Sequence, residues 1–315
     1  MRGPTACKVT AQARRRFVVT GIHILLTYAC THECDHCFLY CSPRAKGVMT
    51  AAQVRAVLDE AKKIGTVEWI FFEGGEPSLY YPLLLEGVRQ ARNRGFQVGI
   101  VSNAFGAVSD EDAELWLKPL AELGVSSLSL SDDAFHYGEE RSPARRALEA
   151  AQRLGIPVST IAIEKPFVEA APGQGQDKGA PVIGGGAMFK GRAADTLTED
   201  LPRRPYQEFT ACTHEELVEP KRLHVDPFGH VHICQGVSMG NMWERPLSDL
   251  VAEYEAGAHP ICGPLVEGGP ALLADRYGVE LDDCVDECHC CFLARRALLD
   301  SFPEHLAPRQ VYGRE

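Results

Sequence analysis

Three cysteines within eight residues, Cys30-Thr31-His32-Glu33-Cys34-Asp35-His36-Cys37, constrain this chain more than any other stretch. The run before them, Gly21 to Tyr28, is apolar, rich in β-prone residues and opened by a glycine, which predicts a buried strand. The thiols therefore sit on a loop at the C-terminal end of a strand. Soft thiolates select iron–sulfur clusters or zinc. A four-iron cube takes four ligands and this loop offers three, so one iron would stay open to a non-protein ligand. Structural zinc also wants four ligands, and His32 or His36 could supply the last.

Downstream, Thr50 opens a helix with Gln53 placed for a capping box. Val54, Val57, Leu58, Ala61 and Ile64 share one face of it, and Gly65 stops it. Residues 67–72 read as a strand running into Glu73-Gly74-Gly75-Glu76-Pro77. A helix over 81–94, a strand over 97–102 and a helix from Ser109 to Leu123, kinked at Pro119, follow. Then come a strand over 125–131, a helix over 143–154 and a strand over 158–163. Strands alternating with helices of about a dozen residues make βαβ units on a parallel sheet, with right-handed crossovers. Residues 182–190 supply a sixth strand. Between them, Lys165–Pro181 reads as a loop, either a lid or a crossover in place of a helix.

Residues 195–210 form a linker, and beyond it the composition turns cysteine-rich. Of 12 cysteines, seven lie at 212, 234, 262, 284, 288, 290 and 291, and Cys7 and Cys41 are left over. In a 315-residue chain with no signal-peptide core, such clusters read as metal ligands rather than disulfides. Leu223 to Cys234 reads as a hairpin around Asp226-Pro227-Phe228-Gly229. Pro246 to Tyr254 and Phe292 to Leu299 read as short helices.

The CxxxCxxC loop, followed one helix and one strand later by Gly74-Gly75-Glu76-Pro77, resembles the radical S-adenosylmethionine (SAM) superfamily. The resemblance spans roughly residues 18–300. It implies an α/β fold, a partial (βα)6 TIM-like barrel with a C-terminal cysteine-rich auxiliary-cluster domain, and chemistry at the C-terminal ends of the strands. It implies a 4Fe–4S cluster on Cys30, Cys34 and Cys37 whose open iron is chelated by SAM. Reductive cleavage of that cofactor would give a 5′-deoxyadenosyl radical that takes hydrogen from substrate.

The resemblance also implies that Gly74, Gly75 and Glu76 bind the cofactor's methionine end, Glu76 receiving the ammonium. Ser102, Asn103, Ser131 and Asp132 at strand ends are placed for ribose and carboxylate. Ordinary turn and cap chemistry is the alternative. Arg141 and His136 are assigned to cofactor or substrate, or to the surface, and Phe38 to the adenine or the core. Gly191-Arg192-Ala193 resembles a feature of members that carry the extension, with a strand-end turn and a solvated arginine as the alternative. The C-terminal cysteines resemble the SPASM or twitch domain. Cys212, Cys234, Cys288 and Cys291 would fill an auxiliary 4Fe–4S cluster. Cys262, Cys284 and Cys290 would join it or build another. The SPASM series CxxC then CxxxxxC is absent, and a zinc staple involving nearby histidines is the alternative.

The implied organisation is a flexible arm over 1–16, a barrel over 17–195, the linker 196–210, the iron–sulfur domain 211–300 and a tail over 301–315. Formal net charge is −11 and the sequence pI about 5.5, so no attraction to nucleic acid is expected. No apolar run reaches the roughly 18–20 residues of a membrane span, and a cytoplasmic protein is expected. Only about 16 residues precede the barrel, too few for a peptide-leader domain. A small molecule, or a peptide delivered by another protein, is the expected substrate. A low-potential donor such as flavodoxin or ferredoxin would supply electrons. Cobalamin (DxHxxG) and phosphate-loop (GxxxxGK[ST]) patterns are absent. A non-catalytic metal-binding electron carrier is the alternative function.

Overall fold

The computed structural model describes residues 17–138, 141–170 and 181–314. The arm 1–16, Cys7 and the middle of the predicted lid loop lie outside them. Five strands alternate with helices in the predicted rhythm: β1 (Gly21–Thr27), α1 (Ala51–Ile64), β2 (Trp69–Gly74), α2 (Tyr81–Asn93), β3 (Gln97–Ser102), α3 (Asp110–Glu122), β4 (Ser127–Ser131), α4 (Pro143–Arg153) and β5 (Val158–Ile161). Neighbours in sequence pair in parallel from β1 to β5. The helix ends follow local chemistry. Thr50 and Gln53 form the capping box of α1, and Gly65 closes it in the left-handed conformation.

Alternation along the strands decides which side chains reach the site. Ile70 and Phe72 of β2 are fully buried, and Phe72 meets α2 at Gly87, where a Cβ would sit 2.7 Å from its ring. The intervening Phe71 and Glu73 point to the opposite face, the lumen. There Phe71 stacks on His23 at 4.6 Å and crosses Gly99. Period two thus separates a core of aliphatic side chains beneath the helices from a lumen that carries polar ones.

The sixth strand is not where the sequence placed it. Residues 182–190 do not extend the barrel. β7 (Pro181–Gly184) pairs antiparallel with β6 (Phe167–Ala170) in a separate two-stranded ribbon. β7 is short, ends in Gly184, runs directly into Gly185 and Gly186, and leaves Val182 40% exposed, so it lacks the apolar face that a sixth barrel strand must bury. The sixth parallel strand comes instead from the C-terminal part. After α5 (Arg192–Thr196), β8 (Arg222–Val225) pairs parallel to β1 on its free edge. β9 (His230–Cys234) and β10 (Val237–Asn241) continue antiparallel, closing an eight-stranded sheet in the order β10-β9-β8-β1-β2-β3-β4-β5. The predicted hairpin is β8–β9, its turn held by Asp226 Oδ1, which accepts the N–H groups of Phe228 and His230 at 2.9 Å each.

Beyond the sheet lie α6 (Leu247–Glu253), α7 (Cys262–Tyr277) and α8 (Glu287–Ala297). The sequence reading missed α7, whose interior is broken at Gly268 and Gly269. The residues after 300 pack rather than trail: Leu306, Val311 and Tyr312 are buried in the same core as Ile22 and Leu223. Among the described residues no helix is long and apolar enough to cross a membrane.

Candidate active site: the cysteine loop and the barrel mouth

The loop leaving β1 is fastened at both ends. Cys30 N–H donates to Ser42 O at 3.0 Å, and Thr27 Oγ1 donates to Gly47 O at 2.8 Å. Cys30 and Cys34 are buried and Cys37 partly so. Each outer sulfur accepts polar hydrogens: Cys30 Sγ from His32 N at 3.5 Å and Asn103 Nδ2 at 3.6 Å, Cys37 Sγ from Cys41 N at 3.3 Å. Burial pushes the Cys30 thiol up to about 11. Burial and the neighbouring cysteines push Cys34 to about 12. Cys37 is drawn down to about 6, chiefly by the hydrogen bond from the Cys41 thiol. Cys41 is therefore a supporting donor, which accounts for a thiol the sequence left spare.

The clasp on this loop is Arg192, for which a solvated strand-end arginine is the alternative reading of the sequence. It is 8% exposed. Nη1 donates to Cys34 O and Nη2 to Cys41 O, each at 2.8 Å, and its own N–H donates to Cys37 O at 2.9 Å. Gly191 makes the approach possible: its φ is +62°, and a Cβ there would lie 2.4 Å from the Phe38 carbonyl carbon.

The three cysteines open into a cavity of about 330 Å³ at the C-terminal ends of the strands. Phe38, Gly74, Gly75, Ser102, Asn103, Ser131 and His136 line it, together with Cys41, His32 and His36. Leu39, Val101, Ile161, Ile163 and Met188 give it an apolar side. Burial lowers the pKa of both His32 and His36. His136 Nδ1 lies 2.8 Å from Asp133 Oδ1.

Three sequence assignments change. Glu76 does not line the cavity. It is fully buried, and its carboxylate accepts Ser78 N at 2.9 Å, Ser102 Oγ at 2.9 Å and Asn103 N at 2.8 Å. Burial raises its pKa against those bonds. Glu76 is thus the tie between the ends of β2 and β3, and the acid facing the cavity is Glu73, three residues earlier. The backbone N–H groups of Gly75 and Glu76 are likewise spent, on Thr27 O and Ala29 O at 2.7 and 2.8 Å. The glycines are needed because β1 passes so close: a Cβ on Gly75 would lie 2.0 Å from Ala29 O. Asp132 turns away to Ser142 Oγ (2.9 Å) and Arg145 Nε (3.3 Å). Arg141 is exposed and pairs with Asp110, outside the cavity.

Residues 24–163 match the family model of the radical SAM superfamily. Over that stretch, which holds the cysteine loop and runs from β1 to β5, the chain is similar to the radical SAM superfamily. Over 115 residues it is 30% identical to YydG of Bacillus subtilis, a protein named as a candidate for peptide biosynthesis, covering 36% of each chain. It is 34% identical over 113 residues to the tungsten-containing aldehyde ferredoxin oxidoreductase cofactor-modifying protein of Pyrococcus furiosus, covering 36% of this chain and 30% of that one. The chain thus spans about a third of the length of these relatives. Among solved structures, BtrN in complex with AdoMet and 2-DOIA aligns with a TM-score of 0.49 at 17% identity, over 74% of this chain and 82% of its own. Native anSMEcpe with bound AdoMet and Cp18Cys peptide aligns with a TM-score of 0.46 at 13% identity, over 90% and 97%.

The radical SAM family implies a 4Fe–4S cluster and SAM, and the cysteine geometry bears on the fit. A tetrahedral zinc with Zn–S bonds near 2.3 Å needs sulfurs about 3.8 Å apart. Among the described residues, no three cysteine sulfurs lie within 4.8 Å of one another. The donor set itself fits the group: Cys30, Cys34 and Cys37 line one cavity together, and three thiolates would leave one iron of a four-iron cluster open.

The C-terminal cysteines divide into sets. Cys288 and Cys291, one turn apart on α8, share a field with Cys234 at the end of β9 and with Cys212. Cys262 is fully buried beside them. Cys284 and Cys290 hydrogen-bond each other in a separate small core with Phe209. The sequence reading missed the two buried cations at the main set. Lys190 Nζ lies 3.6 Å from Cys234 Sγ and 2.6 Å from Gln235 Oε1. Arg295, 1% exposed, donates to Cys291 O and Gln235 O. Two buried positive charges beside Cys212, Cys234, Cys288 and Cys291 would offset the negative charge of four thiolates there.

Proposed function

We propose that this chain is a radical SAM enzyme that oxidises or crosslinks a peptide or small-molecule substrate with help from an auxiliary 4Fe–4S cluster. Cys30, Cys34 and Cys37 hold the reducing cluster, and Cys212, Cys234, Cys288 and Cys291 hold the auxiliary one. The observation that carries the reading is the single cavity whose wall joins the three cysteines to Gly74, Gly75 and the strand ends Ser102, Asn103 and Ser131. When bound, the cluster and SAM supply a hydrogen-abstracting radical. The chain's residues do the rest. Asn103 and Cys41 donate to the cysteine sulfurs, Arg192 holds the loop, and Leu39, Val101, Ile161 and Met188 exclude water above it. The partly identical YydG, named for peptide biosynthesis, supports a peptide as the first substrate class to try. Electrons would come from a low-potential flavodoxin or ferredoxin.

The test is anaerobic reconstitution of the wild type and a Cys30/Cys34/Cys37→Ala variant, with iron, sulfide and 5′-deoxyadenosine measured. The reading expects about eight irons in the wild type and about four in the variant, at four per cluster, with cleavage of SAM only by the wild type. Iron without cleavage in the wild type would leave an electron carrier as the function.

A further inference from the structure

Below the cavity, three lumen side chains have no part in the reading above. His23 and His224 are register partners on the parallel strands β1 and β8. Glu73 of β2 stands two positions further along, opposite Leu25. One nitrogen or oxygen from each of the three lies within 4.8 Å of the others. His23 Nδ1 is 3.1 Å from Glu73 Oε2, and His224 Nε2 is 3.4 Å from Glu73 Oε1.

These distances are short, yet neither pair is hydrogen-bonded. His23 Nδ1 is buried without a hydrogen-bond partner, and so is the other ring nitrogen of His224. Glu73, only 18% exposed in its side chain, accepts no hydrogen bond among the described residues. Ligand atoms held this close without hydrogen-bonding each other are near enough to share one ion. The nearby cations do not neutralise Glu73, because buried Glu215 pairs with both Lys190 (3.5 Å) and Arg222 (3.3 Å). Gln235, which takes Lys190 on its oxygen, also shares a hydrogen bond of 3.4 Å with His224 Nε2, so a cation would compete with that amide for the nitrogen.

We propose that His23, Glu73 and His224 form a mononuclear site for a first-row divalent cation, separate from both cysteine sets. Two imidazoles and one carboxylate on neighbouring strands give a facial ligand set with the remaining positions open. Those positions have space on two sides. Glu73 borders the cavity of about 330 Å³ under the cysteine loop. His23 borders a second cavity of about 410 Å³ at the N-terminal ends of β1 and β2. A cation there would take an oxygen or nitrogen donor of the substrate and fix it beneath the reducing cluster.

The test uses the cluster-loaded protein, so that the thiols are occupied, and Mn(II), which favours nitrogen and oxygen over sulfur. Free Mn(II) is followed by its EPR signal. We expect one equivalent to be bound by the wild type, with affinity falling at least about tenfold in His23→Ala and in Glu73→Gln, a loss seen even for changes behind the ligands. The Glu73→Gln variant keeps the side-chain volume, and its iron content reports whether the barrel is intact. His36→Ala should leave the bound equivalent unchanged, because it removes only the alternative group His36, Asp133 and His136. No bound equivalent in the wild type, binding that survives both lumen variants, or binding lost with His36 would each overturn the proposal. None of these outcomes depends on whether 5′-deoxyadenosine forms.

Discussion

Replacing Arg192 with alanine should undo the cysteine loop without touching a cysteine. The guanidinium donates two hydrogen bonds of 2.8 Å, to the carbonyls of Cys34 and Cys41, from a position 8% exposed. A hydrogen bond from a charged donor contributes about 1.5–3 kcal/mol net, and a buried carbonyl left without its partner forfeits that contribution. Two such bonds put the loss at about 3–6 kcal/mol for cluster-free protein, a large share of the 5–15 kcal/mol typical of a folded domain. Arg192→Lys should recover part of it, since an ammonium can meet one carbonyl well but not both in the fork geometry. Urea unfolding of the cluster-free protein gives the stability change, and iron per chain after reconstitution gives the consequence for loading. Alanine at 192 with unfolding unchanged within about 0.5 kcal/mol, the range of an ordinary surface substitution, and full iron loading would refute the reasoning.

Three further outcomes follow from the same geometry. Gly75→Ala would place a Cβ 2.0 Å from Ala29 O, so the start of the cysteine loop must shift; iron at the first cluster should fall and the melting temperature drop, by iron assay and calorimetry. Lys190→Met removes a buried positive charge 3.6 Å from Cys234 Sγ; voltammetry should find the potential of the proposed auxiliary cluster moved negative by the order of 0.1 V, with the first cluster unmoved. Glu60 of α1 accepts Ser248 N at 3.0 Å and Ser248 Oγ at 2.7 Å. Burial opposes its ionisation, but these bonds and Lys63 outweigh it and hold its pKa below 4.5. Because the folded value is depressed, the stabilisation is complete above the unfolded pKa and lost as pH falls through the folded one. Glu60→Gln should therefore unfold more easily at neutral pH, and the difference should shrink on acidification below about pH 4.5.

What could be read from the sequence was whatever is local. The cysteine loop, the capping box at Thr50 and Gln53, and five strand–helix alternations each depend on neighbours a few residues away. The readings that failed depend on partners far along the chain. Whether residues 182–190 or 222–225 supply the sixth parallel strand is decided by which segment matches the free edge of β1, and β1 carries no mark of it. Glu76 looked like a ligand because the backbone glycines before it looked like a ligand cradle. Only the approach of Thr27 and Ala29 shows that the glycines serve the chain crossing and that Glu76 closes it. Glu73 was legible in principle: in Trp69-Ile70-Phe71-Phe72-Glu73 the buried residues are 70 and 72, which puts the acid on the lumen face.

The stretch Lys190-Gly191-Arg192 connects the two cysteine sets more tightly than a linker would. Lys190 touches the Cys234 sulfur on one side, and two residues later Arg192 grips the carbonyls of Cys34 and Cys41 on the other. Beneath them β1, which leads to the first set, is hydrogen-bonded in register to β8, which pairs in turn with β9, the strand that ends at Cys234. Moving one set relative to the other would break a buried ion pair, two charged hydrogen bonds and a parallel ladder together. A fixed separation of this kind suits electron transfer from substrate to a second cluster, which needs no motion and is spoiled by it. Among the described residues the ribbon β6–β7 pairs with no strand of the eight-stranded sheet, so it stands outside this rigid frame.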